Sequence, residues 1–166
     1  MVDYSIAAES GLDFSQTYSV TTSTPEYPGT PVALGTQAWG TNGSMYMFVL
    51  ASSAITQYAC VSIDPNFNAS MATNTSLLTY PDVGFAQVAI PSGQYGWVAM
   101  RGTKISVLSK GAVAKTTPLY ISSSAGILVT TTSSFALVTG IVTSTSYAST
   151  STIGRAANAS WPRSKQ

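Results

Sequence analysis

The chain of 166 residues contains no histidine. Without an imidazole there is no Ser-His-Asp triad, no Cys-His dyad and no His-ligated metal site. One cysteine, Cys60, leaves no disulfide within the chain and no thiolate metal cluster. Charge is scarce as well. The 7 basic and 6 acidic side chains are 8% of the chain, against about 25% in an average soluble protein. The longest apolar run, Met45 to Ala51, is far below the ~20 residues that a membrane-spanning helix needs. The first ten residues, MVDYSIAAES, hold two acids and no basic stretch, so a secretory signal is not expected there. These shortages lead us to expect no enzyme, no cofactor, no metal and no membrane segment.

Serine and threonine make up more than a quarter of the sequence, so hydroxyls and amides must cover most of the surface. The net charge of +1 gives weak repulsion between copies, which favours assembly or docking. The few charges are sorted along the chain. Asp3, Glu9, Asp13, Glu26, Asp64 and Asp82 lie in the first half; Arg101, Lys104, Lys110, Lys115, Arg155, Arg163 and Lys165 follow residue 100. Three readings stand side by side. The sorting is chance among few charges; or interleaved strands of one barrel erase it in space; or it makes complementary faces that steer neighbouring copies.

Residues 1–36 read as an extended N-terminal arm. Pro25, Pro28 and Pro31 fix φ and remove N–H donors along PEYPGTP, which favours a polyproline-like path. Tyr4, Ile6, Leu12, Phe14 and Tyr18 give the arm apolar groups with which to lie on something, so it is expected to anchor rather than to build the body. Residues 37–148 read as the body. Strands are predicted over 44–51, 55–63, 83–90, 95–101, 104–109, 118–122, 127–131, 135–142 and 144–148, with turns between them. Residues 69–80 fit a short helix or a loop equally. The most regular part is 83–147, where turns recur every 8–12 residues between β-branched runs and no helical stripe is sustained. The fold class is therefore all-β, a small barrel or sandwich. Residues 149–166 read as a short polar, basic tail in which Trp161 is an anchor, most simply onto the chain's own core.

The motifs carry little chemistry. Asp64 and Asp82, the only acids in the predicted body, each sit next to a proline and fit local turn capping better than acid–base work. Gly93, Gly96 and Gly102 punctuate strands and open no phosphate-binding helix. Four Asn-X-Ser/Thr sequons, at Asn42, Asn68, Asn74 and Asn158, are no more than this composition yields. Arg101, Lys104, Lys110 and Lys115 beside Tyr95 and Trp97 are too few for a nucleic-acid surface, so no nucleic-acid partner is expected.

The stretches PSGQYGWVAMRG (91–102), KGAVAKTTPLYIS (110–122) and SSSAGIL (122–128) resemble the small β-barrel modules of tailed-bacteriophage head proteins, most closely the capsid decoration or cement proteins. The resemblance covers residues 83–147 and rests on a strand-and-turn rhythm. It implies a non-enzymatic virion protein on the outer surface of the capsid, bound to the major capsid protein and assembled as a homotrimer. The contact residues expected on this view are Tyr4, Phe14, Tyr18, Arg101, Lys104 and Trp161, with Trp39, Trp97, Tyr46 and Tyr95 as further candidates. The rival reading is a carbohydrate-binding module or fibre-like adhesin, also all-β and Ser/Thr-rich, stacking sugars on its tryptophans.

Overall fold

The computed structural model describes residues 12–19, 32–80, 82–102, 105–130, 136–143, 153–157 and 163–165. The chain is all-β, as predicted, with one helical turn among the described residues. The strands are β1 (Gln37–Trp39), β2 (Met45–Ala51), β3 (Cys60–Ile63), β4 (Asn68–Met71), β5 (Asp82–Ala86), β6 (Tyr95–Arg101), β7 (Ile105–Leu108), β8 (Pro118–Ile121), β9 (Leu128–Val129), β10 (Ala136–Thr143), β11 (Ile153–Ala157) and β12 (Arg163–Lys165).

Five of them close into a barrel. β2 pairs parallel with β4, β4 antiparallel with β3, β3 with β5, β5 with β6, and β6 returns to β2. Side chains alternate across a strand, and here the alternation splits β2 cleanly. Met45, Met47, Val49 and Ala51 join Val61, Ile63, Ala69, Ala86, Val98 and Met100 in one buried cluster that draws on all five strands, the barrel interior. Tyr46 and Phe48 face outward with Trp97 and Ala99 into a second cluster. Both faces of β2 are buried, which is why its sequence reads as an unbroken apolar run rather than an alternating one.

The next five strands repeat this connectivity. β7 meets β9 through a parallel bridge (Ser109↔Leu128), β9 pairs with β8, β8 with β10, β10 with β11, and β11 returns to β7. The registers coincide in detail. Ala51 lies beside Ala69 as Ser109 lies beside Leu128, and Ile63 faces Ala69 as Ile121 faces Leu128. The Ser52 amide donates to the Ala69 carbonyl at 3.0 Å, and the Lys110 amide to the Leu128 carbonyl at 2.8 Å. Tyr58 (φ 66°) and Thr116 (φ 62°) occupy equivalent left-handed positions, two residues before β3 and β8. Their amides donate to Ala86 and Thr143, the last residues of β5 and β10, at 2.7 and 2.8 Å.

The two units are joined by backbone. The Cys60 amide donates to the Gly126 carbonyl (2.9 Å), the Gly126 amide to Ala72 (2.8 Å) and the Leu108 amide to Tyr58 (2.7 Å). The Gln87 side chain accepts from the Ser106 amide and donates to its carbonyl, both at 3.1 Å, in the manner of a neighbouring strand.

Several sequence boundaries move. The strand expected from Ile55 starts only at Cys60, because the backbone at Tyr58 turns left-handed; Ile55 instead makes an isolated bridge with Ile90. The strand expected over 83–90 stops at Ala86. Residues 69–80 divide into the end of β4 and a helical turn α1 (Ser76–Thr79). Ser76 and Thr73 secure its start: Ser76 Oγ accepts the Thr73 amide at 2.8 Å and Thr73 Oγ1 accepts the Ser76 amide at 3.1 Å. The strand expected over 144–148 lies outside the described residues. The tail boundary at 148 does not hold for 153–157 and 163–165. They are β11, which completes the second ring, and β12, which pairs with β10 and meets β5 at Arg163↔Asp82.

The arm is corrected more strongly. Phe14, expected to touch a partner, is only 3% exposed. It stacks on Tyr46 at 4.4 Å and 8° and meets Trp97 edge-on at 4.9 Å. The physical reason is the outward aromatic face of β2 and β6, which needs a cover. Residues 12–19, with Val32 and Leu34, supply it, so this part of the arm belongs to the core.

Candidate docking surface

β1 enters the sheet as a hairpin with β2. Asn42 shapes the turn: its Oδ1 accepts the Ser44 amide at 2.9 Å and its Nδ2 donates to the Tyr46 hydroxyl at 3.1 Å. Gly43 takes φ +73° there, a value that favours glycine. Among the described residues β1 pairs with β2 alone.

Trp39, Met45 and Arg101 form one row across β1, β2 and β6. A shift in register between Met45 and Tyr46 inserts an extra residue on β6, which brings Arg101 into this row. The Arg101 guanidinium lies 4.9 Å from the centre of the Trp39 ring, and Met45 beside them is buried. The Trp39 indole remains 54% exposed, more than any other large apolar side chain among the described residues; Tyr80 follows at 38%. An exposed tryptophan with a cation on its ring, on a strand that pairs on one side only among the described residues, has the makings of a contact surface.

The other expected contacts are placed differently. Tyr18 is half-buried and forms a two-bond bridge with Tyr95, both at 2.8 Å. Burial pushes its phenol above the usual range, and the Asp13 charge adds to the effect. The Ser15 hydroxyl, with the Ser15 amide and Gln16, holds the Asp13 carboxyl below its usual range. Tyr46 and Trp97 are interior, and Trp97 Nε1 makes no hydrogen bond among the described residues. Tyr4, Lys104 and Trp161 lie outside the described residues. Arg101 and Trp39 therefore come together, while Phe14, Tyr18 and Trp97 form a separate aromatic seat. Tyr80 was missed, since a lone tyrosine before a proline gives no periodic signal.

Asp64 does what turn chemistry predicts, whereas Asp82 opens β5 as a strand residue opposite Ile63 and Arg163. Asp64 Oδ1 accepts the amides of Asn66 and Asn68, and Oδ2 accepts Asn68 Nδ2, each at 2.8 Å. Desolvation raises its pKa, but these bonds outweigh it and hold the carboxyl below its usual range. Burial pushes the Cys60 thiol far upward, so it is an inert core group. Among the described residues no three His, Cys, Asp or Glu side chains gather as a metal site, and no helix is long and apolar enough to cross a membrane. Neither a protein-family model nor a curated protein sequence matches the chain.

Proposed function

We propose that this is a non-enzymatic structural protein of a tailed-phage virion, attached as a homotrimer to the outer surface of the capsid, where it braces the major capsid protein. The observation that carries the reading is the exposed Trp39 with Arg101 on its ring, on strand β1, which among the described residues pairs on one side only. It supports docking on a protein surface, where main-chain bonds give affinity and an aromatic anchor gives specificity. The resemblance of residues 83–147 to decoration proteins supplies the class of partner. Scarce charge and abundant hydroxyls suit a broad hydrogen-bonded contact.

The test is retention of the protein on capsids through low- and high-salt washes. Attachment survives salt, since a Debye length falling from ~10 Å at 0.1 M to ~3 Å at 1 M weakens only the ionic part. Trp39→Ala lowers retention by about 2 kcal/mol, more than tenfold, as expected for a tryptophan hot spot. Full release at a few tenths molar salt (about a Debye length of 5–6 Å) would transfer the attachment to the charges. The exposed Trp39 ring also favours the second reading, a carbohydrate-binding module. A sugar that quenches Trp39 fluorescence, with no retention on capsids, decides for it.

A further inference from the structure

Residues 12–19 are joined to the rest of the described chain only through the stretch between Ser19 and Val32. Their seat on the first barrel is specific: Phe14 between Tyr46 and Trp97, the backbone bridge from Tyr18 to Tyr95, and the Tyr18 ring edge-on to Phe48 at 5.9 Å. Thirteen peptide steps separate Ser19 from Val32. Fully extended they span at most about 45 Å, against a radius of gyration of about 15 Å for a compact chain of this length. The contacts in the seat are the same whichever copy supplies the segment, so exchange loses none of them, and exchange of an identical element is a low-cost route to oligomers.

We propose that residues 12–19 are exchanged between copies, Phe14 and Tyr18 of one protomer filling the seat of Tyr46, Phe48, Tyr95 and Trp97 on the next. This rests on the oligomeric part of the function above and gives it a mechanism: each copy's aromatic face is completed by its neighbour. Closed head-to-tail, the exchange makes a ring, in keeping with a trimer.

The experiment uses the full chain in solution, without capsids. Tyr18→Cys and Tyr95→Cys are made in separate chains, mixed in denaturant, refolded and oxidised. A hydrogen-bonded antiparallel pair has Cα atoms about 5.5 Å apart, within disulfide reach, and Cys60 is buried. Exchange yields a covalent dimer containing one chain of each variant. A same-chain disulfide in the double variant, with no mixed dimer, overturns the proposal. As a check free of cysteine, a photoreactive phenylalanine replaces Tyr18 in a refolded equal mixture of light and heavy isotope-labelled chains. Random exchange makes about half of the cross-linked peptides mixed-label; same-label peptides alone, or a monomer, overturn it. Capsid retention is read separately, so failure here and failure of the attachment are distinguishable.

Discussion

The first and second barrels share one connectivity but little chemistry. Between Ala51–Asp64 and Ser109–Ser122, aligned by register, only Ala54/Ala112 and Ile63/Ile121 are identical. What is kept is burial. Val49, Ile55, Val61, Ile63 and Ala69 inside the first barrel correspond to Val107, Val113, Leu119, Ile121 and Leu128, which are buried in the cluster that also holds the outward aromatics of the first. Where the first has Ala86, the second has Thr143, a buried hydroxyl satisfied by donating to the Ala114 carbonyl (2.6 Å) and accepting the Thr117 amide (3.1 Å). The lesson is that a barrel of this kind requires apolar volume at set positions and a partner for each buried polar group. It does not require particular residues.

The barrels differ most on the outside. The first turns Phe48 and Trp97 outward and covers them with Phe14. Their counterparts in the second, by register, are Ser106 and Arg155. The sorted charges follow the same division in part. Asp64 and Asp82 lie on the first barrel and Lys110, Lys115 and Arg155 belong to the second, but Arg101 ends β6 of the first and Arg163 pairs opposite Asp82, so the asymmetry survives only in part.

Removing the cover breaks the comparison most severely. Phe14→Ala costs about 3–5 kcal/mol, the usual loss for a buried phenylalanine. Ser106→Ala, at the position matching Phe48, changes stability by no more than about 0.5 kcal/mol. Urea unfolding followed by tryptophan fluorescence reads both. A loss under about 1 kcal/mol for Phe14→Ala would make the segment an accessory laid on a self-sufficient barrel.

The junction is the next place to press. Gly126 has φ +75°, and an added Cβ would lie 2.8 Å from the Ala59 Cβ. Gly126→Ala therefore costs about 2–4 kcal/mol, from the left-handed backbone and the overpacking together. Because Gly126 bonds to Cys60 and Ala72, amide exchange should quicken in both barrels. Faster exchange confined to the second barrel would show that the two fold independently.

Much of this was legible in the sequence, and the failures have physical causes. β6 was read with its exact limits from Tyr95 to Arg101, and β2 within one residue, because β-branched and aromatic runs stood between turn residues. The Asp64 cap was legible because Asp-Pro-Asn turn chemistry is local. The repeated connectivity was not, since burial can be conserved with two identities in fourteen. Nor was the role of Phe14, which depends on an outward aromatic face that only the closed barrel creates. Of the contact residues named from sequence, Arg101 is half-buried against the exposed Trp39, which was one of several tryptophans with nothing local to single it out.

The smallest expected effect separates the two equivalent hairpins by pH. Asp64 and Ser122 each follow the second strand of their barrel and cap the turn that leads to the third. Asp64 does it with a carboxylate. Ser122 does it with a hydroxyl that accepts the Ser124 amide at 3.1 Å and donates to its carbonyl at 2.9 Å. The folded Asp64 carboxyl is held below its ordinary 3.8. Its contribution is therefore fully present above that value and is lost as pH falls through the lowered folded value. Ser122 does not titrate, so its cap is indifferent to pH over this range. Protection of the Asn68 amide should weaken on acidification while that of Ser124 and Ile127 holds. Asp64→Asn should abolish the difference. Asp13, whose carboxyl is also held down, lies on the covering segment, so Asp64→Asn leaves its response in place and separates the two. Ser122→Ala should cost about 1 kcal/mol at every pH. Asn68 protection that stays constant down to about pH 2, well below the ordinary aspartate range, would mean that the charge on Asp64 adds nothing and that the two caps are equivalent after all.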